Sequence, residues 1–250
     1  MFDFSGVQVR ATNDPLPVLW STQILSNRIV YCYCLFHNRI ITSLMLMSTA
    51  KILTVLILDK YHMKIYIHGA NATPISWNYI SEHVGDGIRL SYNSANSFKD
   101  NLDNMIAKLD GIKEFEFIGH SLGGIYALHL ANYFKYKANI NGAVTLSTPF
   151  GGVNIPYITR YMFAWHQLIK DIVPIAWPIK TLDSYMLPCR WCNIVTTSGH
   201  APWILEPNDG VVSINSQKHR KDMELIEINC NHYEIVLNQN AVDIIKSNLS

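Results

Sequence analysis

The stretch that most limits how this chain can fold is residues 114–130, EFEFIGHSLGGIYALHL. Phe115, Phe117 and Ile118 mark a short buried strand, Gly119-His120-Ser121-Leu122-Gly123-Gly124 turns sharply, and residues 125–134 continue as an apolar helix. A serine hydroxyl is a weak nucleophile at neutral pH and needs both a base beside it and a position open to an approaching carbonyl. A tight strand-to-helix turn supplies that position. Gly119 and Gly123 stand two residues to either side of Ser121, where a side chain would meet the neighbouring strand or helix. Leu122 opens the helix, so its N–H has no intrahelical acceptor and faces the place where an oxyanion would develop.

The same rhythm runs through the chain from Met63. Residues 64–67 (KIYI) read as a strand that ends at His68-Gly69-Ala70-Asn71, and Trp77, Ile80 and Val84 follow at helical spacing within residues 75–84. Ile88, Leu90 and Tyr92 alternate as a second strand, and Leu102, Met105, Ile106 and Leu109 share one face of a helix over residues 98–109. Beyond the Ser121 unit, strands are expected at 143–146, 191–195 and 223–228, with an amphipathic closing helix over 241–249. Strands alternating with helices predict an α/β fold, a mostly parallel sheet with helices on both faces.

Two sections break that pattern. Between Gly152 and Cys189, Ile158, Tyr161, Met162, Trp165, Leu168, Ile169 and Ile172 form one apolar stripe that stops before Pro174. Residues 153–189 therefore read either as a helix with a packed connection or as a helical cap over the nucleophile, with Trp165 and Trp177 as candidates to line an acyl pocket. Residues 1–62 show neither strand alternation nor a capped helix. Their apolar part, 29–58, is interrupted by Arg39 and Lys51, and its longest charge-free piece, residues 40–50, is eleven residues long, short of the ~20 that span a bilayer. The segment reads as an N-terminal extension outside a domain that starts at Met63; membrane association through 29–58 and packing into the fold are the alternatives. Without that anchor, a cytoplasmic domain is expected.

Composition removes other classes. Twenty basic and 19 acidic residues leave a net charge of +1, which gives no electrostatic case for nucleic acid. Five cysteines make no disulfide ladder, and Cys189-Arg190-Trp191-Cys192 lacks the second pair that a zinc site needs. No H-E-x-x-H occurs, so neither a metal nor a cofactor is expected.

The last third contains partners for Ser121. Asp209 lies in the loop after the strand at 191–195, and His232 follows the strand at 223–228. In an open parallel sheet the carboxyl ends of the strands share one edge, so Ser121, Asp209 and His232 can meet there in the order Ser, Asp, His. Asp171 and Asp183 are the reserve acids, and His200 and His219 the competing bases.

Together, GHSLGG after a strand, His68-Gly69, Thr148-Pro149-Phe150-Gly151-Gly152, Asn208-Asp209-Gly210-Val211-Val212 and His232 resemble the α/β-hydrolase superfamily, closest in look to compact bacterial lipase-like and esterase-like members. The resemblance covers residues 63–250. It implies Ser121 as nucleophile, Asp209 as acid, His232 as base, and the backbone N–H groups of Leu122 and Ala70 as oxyanion donors, with His68 near the substrate. One departure is visible: Asn71-Ala72-Thr73-Pro74 stands where many lipases have further glycines. The expected activity is hydrolysis of small-molecule or lipid carboxylic esters through an acyl-enzyme. Acyl transfer with the same residues, or a hydrolase-fold binding protein without turnover, are the alternatives.

Overall fold

Every strand pairing in the computed structural model, which describes residues 63–153 and 167–249, is parallel within one six-stranded sheet of order β2-β1-β3-β4-β5-β6. The strands are β1 (Met63–Ile67), β2 (Ile88–Leu90), β3 (Glu114–His120), β4 (Asn139–Leu146), β5 (Trp191–Thr196) and β6 (Glu224–Ile228). The longer helices are α1 (Asn78–Val84), α2 (Phe98–Leu109), α3 (Leu122–Phe134) and α7 (Gln239–Asn248). Three short ones, α4 (Gln167–Asp171), α5 (Trp177–Lys180) and α6 (Ile214–Gln217), lie between β4 and β6.

Alternation along the strands builds two cores, one on each face. Ile65, Ile67, Phe115, Phe117 and Ala143 pack with α2 and α3, including Phe98, Met105, Ile125 and Leu128. Tyr66, Ile118, Val144 and Ile194 face the other way and pack with Ile80 of α1 and Val242 and Ile245 of α7. The sheet is thus covered on both sides, as the alternation of elements predicts. Central strand β3 is buried from Phe115 onward, whereas edge strand β6 exposes Glu224 and Glu227, which pair with Arg190 and Lys218. Charges of this kind protect an edge from pairing with another chain.

Several boundaries differ from the sequence expectation, each for a local reason. β2 stops at Leu90 because Tyr92 leaves the sheet: its hydroxyl donates to the His68 carbonyl at 3.0 Å, and its ring stacks on His68. The segment expected as one helix over 75–84 begins as a 3-10 turn, Pro74–Trp77, with proline in the first turn. β4 starts earlier than expected, at Asn139. Of the apolar stripe expected as one helix over 158–172, only its last turn, α4, lies within the described residues; Trp165 and the rest lie outside them, as do residues 1–62. The proline-rich connection that follows is not featureless. It forms α5 and a 3-10 turn, Leu182–Ser184, held to the body by Arg220, which donates to the carbonyls of Leu182 and Tyr185.

Candidate active site

The candidate site begins where β3 runs out. Ser121 sits between β3 and α3 with φ 52° and ψ −123°, a conformation that non-glycine residues rarely hold and that costs on the order of 1–3 kcal/mol. Its N–H is secured by the Leu146 carbonyl at 2.8 Å. The turn closes so tightly that a methyl group on Gly123 would lie 2.0 Å from the Ile67 carbonyl oxygen, and one on Gly119 2.7 Å from Gly124. No side-chain movement could relieve the first clash, because its partner is backbone at the end of β1. Strain at Ser121 has a measurable consequence. Ser121→Gly is expected to unfold at a higher temperature than the parent, by about 1 kcal/mol in stability, since glycine adopts positive φ freely and the Ser121 hydroxyl holds no hydrogen bond among the described residues. Thermal or urea unfolding of the two proteins checks this.

Beside Ser121 runs the loop after β1. A methyl group on Gly69 would lie 3.3 Å from Cβ of Ser121 and 2.8 Å from Nδ1 of His120, so this backbone passes directly against the turn. Ala70 follows Gly69, and Leu122 is the first residue of α3, whose first-turn N–H groups have no intrahelical acceptor. The loop is braced despite lacking further glycines. Asn71, at φ 54°, donates its N–H to Ser94 Oγ at 3.0 Å, and Ala72 N–H reaches the Gly69 carbonyl. His68 donates from Nδ1 to the Gly69 carbonyl at 2.8 Å and stacks on Tyr92 with ring centroids 4.3 Å apart. Burial lowers its pKa, so it stays neutral, and its Nε2 is enclosed without a hydrogen-bond partner among the described residues.

Asp209 and His232 meet in the loops after β5 and β6. Nδ1 of His232 donates to Oδ2 of Asp209 at 2.7 Å, and the His232 N–H donates to the Asp209 carbonyl at 3.0 Å. Both side chains are buried, at 3% and 0% exposure. With Nδ1 carrying the proton, the neutral ring keeps a free lone pair on Nε2. Burial alone would push the Asp209 carboxyl up. Hydrogen bonding and charge from His232, the Thr196 hydroxyl and the Val212 N–H outweigh that and hold its pKa below the ordinary carboxylate value.

The two halves of the site are joined by His120. Its Nε2 donates to the His232 carbonyl at 2.9 Å, and the two rings lie 4.9 Å apart. Burial, with His232 nearby, drives the His120 pKa down to about 3, so it remains neutral and does not repel a charged His232. Among the described residues Ser121 Oγ makes no hydrogen bond to the His232 ring. Contacts of this type are often open without a ligand and tighten when one binds.

The competitors are engaged elsewhere. Asp171 Oδ2 accepts the Phe98 N–H at 3.0 Å, which ties α4 to the start of α2. Asp183 pairs with His219 Nε2 at 2.9 Å on the surface, and His200 is exposed. Trp177, on α5, packs edge-on against Phe98 and His129, at 5.6 and 5.3 Å, and is 45% exposed. The Cys189 and Cys192 thiols are both pushed up to about 12 by burial, which leaves them poor nucleophiles.

Two residues that the sequence reading passed over complete the surroundings of Asp209. Thr196, the last residue of β5, donates its hydroxyl to Asp209 Oδ2 at 2.5 Å, and Gln217 of α6 donates Nε2 to the same oxygen at 3.1 Å. Neither lies in a motif, and a buried glutamine on a four-residue helix has no periodicity to flag it.

No family model and no curated protein sequence matches the chain; its likenesses are to solved structures. A lipase of Bacillus licheniformis in its mature form is 15% identical, with a TM-score of 0.57 over 70% of this chain and 86% of that one. The propeptide form of that lipase is 14% identical, with a TM-score of 0.61 over 75% of this chain and 51% of that one. A lipase-esterase related protein of Clostridium acetobutylicum is 12% identical, with a TM-score of 0.50 over 75% of this chain and 94% of that one.

Proposed function

The chain has the α/β-hydrolase fold, and from that premise we propose that it is a serine hydrolase of carboxylic esters. The observation that carries this reading is the buried His232–Asp209 pair, 2.7 Å apart, tied through His120 to the strained turn that presents Ser121. In the proposed reaction Nε2 of His232 takes the Ser121 proton as Oγ attacks the ester carbonyl. Asp209 keeps the ring in the Nδ1–H tautomer and offsets the charge that it acquires. The N–H groups of Leu122 and Ala70 receive the oxyanion. The protonated His232 then gives its proton to the departing alcohol, and water, deprotonated in turn by His232, releases the acid and restores Ser121. In this proposal residues 63–250 form the working unit and 153–189 a cap, with Trp177 as the candidate among the described residues to line the acyl site.

A fluorophosphonate probe with a panel of p-nitrophenyl esters tests this reading. The probe is expected to label the intact protein once, at Ser121, and to leave Ser121→Ala unlabelled. Acyl length should change kcat/KM if the cap section lines the acyl site. An intact protein that takes up no probe and hydrolyses none of the esters would overturn the proposed function; equal rates from acetyl to palmitoyl would overturn the acyl-site assignment.

A further inference from the structure

Asp209 is held by more than its histidine. Oδ1 accepts the N–H groups of Val211 and Val212, at 3.0 and 2.7 Å, while Oδ2 accepts from His232, Thr196 and Gln217, at 2.7, 2.5 and 3.1 Å. These are five donors around a carboxylate that is 1% exposed. Protonation would place an O–H among them whose one acceptor is the Thr196 hydroxyl, and only if that hydroxyl turned its own proton toward Gln217 Oε1, 3.2 Å away.

The amide of Gln217 is fixed in orientation by the strand beside it. Its Oε1 accepts the Thr196 N–H at 2.9 Å, and its Nε2 donates to the Thr196 carbonyl at 3.2 Å, so that the side chain pairs with the end of β5 as a neighbouring strand would. The second Nε2 proton then has one direction left, toward Asp209. Thr196 is aligned in the same way. Its hydroxyl proton points to Asp209, so the Ser147 hydroxyl, 2.8 Å away, donates to Thr196 Oγ1. Gln217, Thr196 and Ser147 are all fully buried, which makes each of these bonds costly to leave unmade.

We infer that Gln217 and Thr196 are positioning residues of the proposed reaction: they anchor Asp209 through the oxygen that binds His232 and keep it an anion. This rests on the ester-hydrolase reading and extends it to the acid's own support. Other titratable groups facing Asp209 are His232, His120 and, from the start of the same loop as His232, the Cys230 thiol. None of these supplies the donors that Thr196 and Gln217 do.

The sign of the effect follows. Hydrogen bonds to the ionised form lower the proton affinity of the Asp209–His232 pair, whichever member holds the proton, so removing a donor raises it. Thr196→Val keeps the shape without the hydroxyl, and Gln217→Leu removes the amide. In each, the acid limb of the kcat/KM profile is expected to move up by about one pH unit, with kcat at pH 8 down on the order of tenfold and KM little changed. Thr196→Ser, which keeps the hydroxyl, should bring the limb back. If Gln217→Leu does not fold, the Thr196 variants decide alone, with circular dichroism checking that they are folded. An active, folded Thr196→Val whose acid limb stays in place overturns this inference and leaves the hydrolase reading standing. A parent protein without esterase activity or probe uptake overturns that reading first.

Discussion

Ser121→Ala is expected to lower ester turnover by on the order of 10⁶, and replacing His232 as well in the same chain to remove almost nothing further. The expectation follows from the division of labour in the proposed site. In the acyl-forming step His232 acts on the proton that Ser121 supplies, and an unassisted Ser121 hydroxyl is too weak a nucleophile to sustain turnover. The residual rate in all three proteins should be that of ester binding and the Leu122 and Ala70 donors. Steady-state kinetics of the parent, Ser121→Ala, His232→Ala and the double variant make the comparison. Multiplicative losses would contradict a shared mechanism. Circular dichroism is needed alongside, because the His232 ring is buried and donates to Asp209, and both are lost in the alanine variant.

The second large effect is expected at Asp209. Asp209→Asn should reduce kcat by about 10⁴, more than the loss of either supporting residue, because it reverses a donor–acceptor relationship. If the asparagine oxygen keeps the N–H groups of Val211 and Val212, its NH₂ must face the donors of Gln217 and His232. The ring escapes that conflict by moving its proton to Nε2, the nitrogen that should receive the Ser121 proton. Nitrogen-resolved NMR of the His232 ring would report the tautomer directly. A variant with an unchanged tautomer and near-parental turnover would show that Asp209 is not the acid. Severe losses in Asp171→Asn or Asp183→Asn instead would move that role to residues 153–189.

How legible this arrangement is in the sequence depends on whether each part is specified locally. The turn at Ser121 is local: two glycines, an apolar run before them and another after them are enough to describe it, and the close approaches at Gly119 and Gly123 show why. The pairing of Asp209 with His232 is not local, yet a parallel sheet brings the loops after β5 and β6 to one edge, so strand counting anticipates it. Thr196 and Gln217 are specified by neither route. Thr196 reads as one more β-branched residue in a strand, and the role of Gln217 exists only once its amide meets the end of β5. The early stop of β2 has the same character: alternation favours continuing through Tyr92, and a tertiary contact with His68 prevails. Buried polar partners found across the sheet are the kind of information that periodicity does not carry.

The strand order also bears on how the protein is made. From β3 onward each strand docks beside the one before it, so a chain leaving the ribosome can complete the Ser121 turn between β1, β3 and β4 while β5 and β6 are still being translated. His232 lies 111 residues after Ser121 (232 − 121), which at about 5–20 residues per second is a delay of roughly 6–22 s. Until His232 is made, the nascent protein carries Ser121 on its strained turn without the proposed base. Under the proposed mechanism, hydrolytic capacity is then acquired in one late step, when the sixth strand arrives, and not gradually as the sheet grows.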